Sequence, residues 1–509
     1  MPGSDRRVGP IYNLDDYSLL NVFYLCRLAS LECDDDKAYM SERISGGGGW
    51  AREHWWCALV LVCKRWRHII FGSPSYLRLC IVYTSGTPVA EMLAHPLFYQ
   101  IPLAIEYIHK GPDKFISPED KQEIILMLKH RSRVRRIRLH APYSGTLFRA
   151  LDGEFPILEC LYLKIPNARP VNWEPPRTFR TPCLQQLVLD NIICPLQPLL
   201  FAPATGIVTL SLTEIYEVDK FSPNNILQQL SLMPRLETLR IGFDLFTGIP
   251  ARQTQMMRTR VKLPFLRRFL FNGTSTYLGL LLPHISTPPL EKLQIYISNR
   301  KTNTIPYILQ LMSGSENFTC HSANVMFLDK GVFVRANLSD GTKWTALSMS
   351  FHGNELTWQV LSVAQFLDIH RTCFNTTKYL TIHCRIPGSL PVGPQVGPEH
   401  VPWRRLYGLL CNVNALLVYD GPHGEISRSF QINPRESAIK LFPRLKQLSI
   451  HTSSGYRDEC APFINARRNI GYPVHLVRIG KGPTATQVAM DCEAWEAPWL
   501  WGSFRLRLG

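Results

Sequence analysis

The stretch Pro234-Arg235-Leu236-Glu237-Thr238-Leu239-Arg240-Ile241 decides the fold. Its form is proline, one residue, apolar, two residues, apolar, one residue, apolar. The phrase returns at Pro156 (Leu158, Leu161, Leu163), Pro182 (Leu184, Leu187, Leu189), Pro264 (Leu266, Phe269, Phe271) and Pro443 (Leu445, Leu448, Ile450). Pro289 stands directly before Leu290, Leu293 and Ile295. The three apolar residues recur without proline at Val134, Ile137, Leu139 and at Ile207, Leu210, Leu212. Looser copies are Trp344, Leu347, Met349, then Thr377, Leu380, Ile382, then Val413, Leu416, Val418. The apolar-x-apolar ending puts two side chains on one face of a strand. Proline cannot donate to a ladder, so it is expected to mark where each strand begins. Phrases starting at 134, 158, 184, 207, 236, 266 and 290 are 24, 26, 23, 29, 30 and 24 residues apart, a spacing that belongs to stacked repeats.

The gaps between phrases read as helices. Ser117-Pro118-Glu119-Asp120 supplies a hydroxyl N-cap, proline at the first helical position and acids in the first turn. Ser222-Pro223 repeats the start ahead of Ile226, Leu227 and Leu230. Leu356, Val360, Val363 and Leu367 share a helical face, as do Trp403, Leu406, Tyr407 and Leu410. Helix and strand in alternation predict an α/β chain of parallel strands with helices outside. A doubly wound sheet is the competing architecture, but no Gly-rich loop follows a strand. The returning phrase resembles the leucine-rich repeat in a degenerate form, lacking the Asn or Cys that stricter versions carry after the strand. That resemblance implies an irregular solenoid over 117–480 that holds its ligand on the concave strand face.

Residues 13–80 follow a different pattern. Asn13-Leu14-Asp15-Asp16-Tyr17 opens a helix whose apolar positions are Leu19, Leu20, Val22, Phe23 and Tyr24, with Asp15 or Asp16 as cap. A polar, glycine-rich insertion over 33–50 follows and is read as flexible. Trp56, Leu59, Val60, Cys63, Trp66, Arg67 and Ile70 then run at helical spacing until Ser73-Pro74 stops them. Leu14, Asp16, Leu19, Phe23, Leu59, Val62, Cys63, Lys64, Trp66, Arg67 and Leu77 match the F-box pattern. The Trp-rich second helix and its Ser-Pro ending are similar to the expanded F-box families of mushroom-forming fungi. Asp15 stands where the family usually has proline. The resemblance implies a three-helix F-box module at 13–80 ahead of the repeats, with a flexible 1–12, a linker or first repeat at 81–116, and a C-terminal tail or cap at 481–509.

The remaining observations bound function. No apolar run approaches the ~18 residues of a membrane span, and Met1 to Pro10 is polar, unlike a signal peptide. Fourteen cysteines without a Cys-x-x-Cys pair fit a reduced, intracellular chain, cytoplasmic or nuclear. A net charge of +16 favours acidic partners. The histidines lack metal-ligand spacing, and no Walker loop, Gly-x-Ser-x-Gly elbow or His-Glu-x-x-His helix occurs, so neither catalysis nor a cofactor is expected.

The F-box resemblance implies a substrate receptor of a cullin-RING (SCF-type) ubiquitin ligase, docked through a small adaptor to the cullin and RING subunits. Leu14, Leu19, Leu20, Phe23, Leu59, Val62, Cys63 and Trp66 are then the expected adaptor-binding residues. Arg135, Arg136, Arg138, Arg240, Arg267 and Arg268 are the expected substrate contacts, suited to a phosphorylated or acidic protein. The alternative is a basic repeat scaffold that binds protein or nucleic acid outside any ligase; charge alone supports its nucleic-acid form.

Overall fold

A computed structural model describes residues 10–31, 55–109, 115–166, 171–176, 178–194, 204–215, 221–243, 260–297, 319–339, 344–353, 355–384, 401–420, 426, 429–430, 441–452 and 460–478. The insertion expected at 33–50 and the tail at 481–509 lie outside the described residues. The chain is mixed α/β and divides into two compact units. One includes Met1–Ala168 and Pro175–Leu184; the other consists of Arg169–Glu174 and Gln185–Gly482.

The first unit opens with α1 (Asp16–Leu31), α2 (Trp55–Val60) and α3 (Lys64–Gly72), which pack together. The apolar run from Trp56 to Ile70 predicts one helix, yet the structure breaks it at Leu61–Cys63. The thiol of Cys63 accepts from the Trp66 amide at 3.4 Å and so starts α3. Arg67 Nε donates to the Val60 carbonyl at 3.0 Å, closing α2. Four parallel strands follow in spatial order β1 (Ile81–Tyr83), β2 (Leu103–Ile108), β3 (Val134–His140) and β4 (Cys160–Lys164). Helices α4 (Val89–Ala94), α5 (Pro118–Lys129) and α6 (Gly145–Ala150) connect them, with α5 packed on β2. The Ser117 hydroxyl accepts from the Asp120 amide at 3.0 Å, making the expected N-cap.

In the second unit the main ladder uses β6 (Gln186–Asp190), β8 (Thr209–Ile215), β9 (Thr238–Phe243), β11 (Arg268–Gly273), β13 (Lys292–Ile297), β14 (Thr319–Leu328), β15 (Gly331–Ser339), β16 (Trp344–His352), β17 (Tyr379–Cys384), β18 (Ala415–Asp420), β19 (Gln447–Thr452) and β20 (His475–Arg478). Short pairs lie beside it: β5 (Val171–Asn172) with β7 (Ile192–Ile193), and β10 (Val261–Lys262) with β12 (Ile285–Ser286). The ladder order is β6-β8-β9-β11-β13-β16-β15-β14-β17-β18-β19-β20. Every neighbouring pair is parallel except the two made by β15, which is antiparallel to both β14 and β16. Helices among its described residues are α7 (Pro223–Leu230), α8 (Ser275–Leu281), α9 (Leu356–Ile369), α10 (Arg371–Phe374), α11 (Val401–Leu409) and α12 (Ala461–Asn469).

The prolines of the repeated phrase do not begin strands as expected. Each of Pro156, Pro182, Pro234, Pro264 and Pro443 is the second residue of a four-residue turn. The amides of Leu158, Leu184, Leu236, Leu266 and Leu445 donate back to the carbonyls of Phe155, Thr181, Met233, Leu263 and Phe442 at 3.0–3.3 Å. Proline's fixed φ suits that turn position, and its missing N–H is not called on there. The leucine that closes the turn is buried, and ladder bonds begin only after it: Glu237 to Val208, Arg267 to Glu237, Lys446 to Asn414. The later two apolar residues, such as Leu239/Ile241, Phe269/Phe271 and Leu448/Ile450, form the inner face of the sheet. Helix side chains such as Ile226, Leu227, Leu230, Leu278, Val360 and Val363 are buried with them in the core.

Candidate functional site

Two regions carry the residues singled out by sequence. In the N-terminal helices, Leu19 and Phe23 are almost wholly buried, and the Phe23 ring meets Trp66 edge-on with centroids 5.0 Å apart. These residues hold the helices together. They cannot also offer side chains to a partner without unpacking, which corrects their place on an expected adaptor-binding surface. Leu14, Leu20, Leu59, Cys63 and Trp66 are half-buried, and Val62 is exposed.

Several further residues of this motif have local structural tasks. Asp15 caps α1 by accepting from the Ser18 amide at 2.6 Å, and that bond holds its carboxyl below the usual range. The Asp15 carboxylate thus fixes the first turn of α1. Asp16 accepts from Arg65 at 2.7 Å, and the same guanidinium donates to the Leu14 carbonyl at 2.6 Å. The bonds tie the start of α1 to the start of α3. Large apolar side chains stand in water next to Asp16 and in the α2–α3 connection: Tyr17 at 73% exposure, Leu61 at 76% and Val62 at 54%. Sequence reading missed Tyr17 and Leu61. Their signal was present, since they sit one residue off the buried helical stripe. Beside α3, Lys64, Arg67, His68 and Phe71 line a shallow groove.

The second region is the outward face of the strands. In the first unit, Arg136 and Arg138 both reach Glu106 Oε1, at 2.9 and 3.6 Å, and Arg135 reaches Glu159 at 2.8 Å. In the second unit Arg267 lies 3.6 Å from Glu291, and Arg240 and Arg268 are likewise engaged. Four of the six expected arginines are therefore already paired with carboxylates, and Arg240 and Arg268 are not free. Glu106 and its two arginines together leave one net positive charge, a weak field for a phosphate of about −1.5 to −2.

Elsewhere in the first unit, Asp120 accepts from Ser85 at 3.0 Å and from Tyr83 and Tyr107 at 3.2 Å. Burial and this carboxylate push both phenols far above their ordinary range, which keeps them as neutral donors. The carboxylate is saturated by three hydroxyls, so the cluster works as a tether between β1, β2 and α5.

Along the second unit's ladder, register aligns the residue that follows the third apolar position of seven phrases with Phe333 and Met326 of the β14–β15 pair. It runs Gly242, Asn272, Tyr296, Ser350, Phe333, Met326, His383, Tyr419, His451 across nine strands. The rings of His383 and Tyr419 stack at 4.3 Å and 3°, and those of Tyr419 and His451 at 4.5 Å and 19°. The sequence signal for this row was the phrase itself, read one residue further on.

No group of His, Cys, Asp and Glu suited to a metal ion occurs among the described residues. No helix among them is long and apolar enough to cross a membrane. No protein-family model and no curated protein matches the chain.

Proposed function

We propose that the chain is the substrate-recognition subunit of a cullin-RING ubiquitin ligase. On this reading the N-terminal helices are an F-box that docks on the ligase adaptor. The strand-and-helix array is a degenerate leucine-rich-repeat solenoid that holds the protein to be modified, and the chain has no catalytic step of its own. One observation carries the reading. Leu61 and Val62 project into water from the tight α2–α3 connection, within the motif Leu59-x-x-Val62-Cys63-Lys64-x-Trp66-Arg67, while Phe23 and Trp66 pack the helices from within. Covering two such side chains with a partner is worth roughly 2–4 kcal/mol, enough to favour docking when added to polar contacts at the rim. The adaptor-facing set is then Tyr17, Leu61 and Val62 with the half-buried Leu14, Leu20 and Leu59, and excludes Leu19 and Phe23.

The test is co-expression with the adaptor. The full chain is expected to purify with it in stoichiometric amount, and Leu61→Asp with Val62→Asp is expected to lose it while keeping the wild-type melting curve. Undiminished capture by that variant would refute the assigned surface. A chain that ignores the adaptor but is held on immobilised duplex, and is released steeply by salt, would favour the basic scaffold instead.

A further inference from the structure

The phrase from Pro443 to Ile450 and the helix after it carry charge that no described carboxylate balances. Residues 441–452 and 460–478 include Arg444, Lys446, Arg467 and Arg468 but neither aspartate nor glutamate. The nearest acids in sequence, Asp458 and Glu459, precede α12, whereas Arg467 and Arg468 stand in its last turn. No ion pair reaches these four cations among the described residues. Earlier phrases differ. Glutamate fills the Lys446 position at Glu159, Glu237 and Glu291, and Glu159 and Glu291 meet Arg135 and Arg267.

Arg467 is the extreme case, at 1% exposure. Its Nη2 donates to the carbonyls of Pro443 and Leu445, both at 3.2 Å, which joins the turn holding Arg444 to the end of α12. Its Nε and Nη1 have no hydrogen-bond partner among the described residues. A guanidinium stays charged, so its charge adds to that of Arg444, Lys446 and Arg468, which are exposed. Burying an unpaired charge is costly, and an anion bound nearby would offset that cost.

The turn that ends α12 sets apolar groups beside this charge. Gly471 has φ +82°, its amide donates to the Arg468 carbonyl at 3.1 Å, and the Tyr472 amide donates to the Arg467 carbonyl at 2.9 Å. This is the Schellman closure, which needs glycine at the left-handed position. It leaves Ile470 45% and Tyr472 51% exposed. The Tyr472 ring meets the Arg467 guanidinium at 5.9 Å. The His475 amide donates to the Lys446 carbonyl at 2.8 Å, so Lys446 adjoins the chain that leaves the turn.

An apolar centre with a charged rim is the make-up of a protein-binding patch, and the sign of the rim calls for an acidic partner. A nucleic-acid strand is held by rings on which its bases stack, but Ile470 has no ring and Tyr472 already faces Arg467. We infer that this part of the second unit docks an acidic polypeptide segment, its carboxylates on Arg444, Lys446 and Arg468 and an apolar side chain on Ile470 and Tyr472. That the segment belongs to the protein to be modified rests on the receptor reading above. Acid recognition then falls to cations other than the six arginines first expected.

The full chain is incubated with bead-bound dodecapeptides in three pools: acidic with a central leucine, acidic with a central alanine, and basic with a central leucine. The acidic leucine pool is expected to be retained about tenfold over the acidic alanine pool, the scale of one covered leucine side chain, and further still over the basic pool. Arg444→Glu with Lys446→Glu is expected to lower retention of both acidic pools by about tenfold or more. Its melting curve should match wild type, since neither residue has an ion pair to lose and glutamate already fills the Lys446 position in three other phrases. Ile470→Ser is expected to lose the preference for leucine and keep the preference for acid. Undiminished acidic retention by the charge-reversed variant, retention of no pool, or stronger retention of oligo-dT or of phosphatidylserine vesicles than of acidic peptides would each overturn the inference. Adaptor co-purification is scored on the same samples. Adaptor binding without peptide binding sinks this inference alone; peptide binding without adaptor binding sinks the ligase reading and leaves the patch standing.

Discussion

His370 sets an acid limit on the second unit. It follows α9, is 2% exposed, and lies against Phe366 with ring centroids 4.8 Å apart. Its Nε2 has no partner among the described residues, and burial lowers its pKa to about 4. An unfolded histidine titrates near 6.5. Between those values the unfolded chain holds the extra proton, so stability is complete above about pH 6.5 and is lost as pH falls toward 4. A gap of about 2.5 pKa units corresponds to roughly 3 kcal/mol at full extent. The perturbation is His370→Leu, which removes both the titrating group and an unmatched nitrogen at similar volume. Urea unfolding of both proteins at pH 7.5 and pH 4.5, followed by a probe in α9, isolates the histidine, because carboxylates common to both cancel in the difference. The wild type is expected to lose about 2–3 kcal/mol more than the variant between the two pH values. An identical acid loss in both proteins, or a His370 ring titrating near 6.5 by NMR, would refute the reasoning.

Leu19→Ala is expected to destabilise the N-terminal helices by about 3–5 kcal/mol, seen as rapid amide exchange in α1 and α3 while β8 to β13 stay protected. Exchange unchanged from wild type would show that Leu19 is not the packing centre described. Gly331→Ala should lower the melting temperature of the second unit, since its Cβ would sit 2.5 Å from the Phe351 carbonyl oxygen, an overpacking that costs roughly 1–3 kcal/mol. An unaltered melting curve would contradict the close approach of β15 and β16.

Much of this architecture was legible because its signals are local. Each of the eleven apolar phrases ends on a strand of the ladders, and both Ser-Pro helix starts are capped as expected, with Ser222 accepting from the Asn225 amide at 3.3 Å. The role of the prolines was not legible, since turn and strand start predict the same residue one step apart. Nor was the β14–β15 hairpin. Its strands alternate with period two, as in Val325/Phe327 and Val332/Val334, and Asp329-Lys330-Gly331 supplies the turn, but a search for a three-then-two spacing passes over period two. The arginine partners were hidden for a different reason. Glu106 lies thirty residues before Arg136, and only the β2–β3 register brings them together.

The lone reversed strand has a consequence for everything downstream of it. A single antiparallel pairing in a parallel ladder would leave the strands on its two sides running in opposite directions. Here β15 runs backward and β14 and β16 both run forward, so the two inversions cancel. Strand β16 meets β13, and β14 meets β17, in the same sense as the rest of the ladder. The β14–β15 hairpin thus adds two strands and leaves the ladder's polarity intact, so the phrase resumes on β16 at Trp344 and on β17 after Thr377 in the same sense as before.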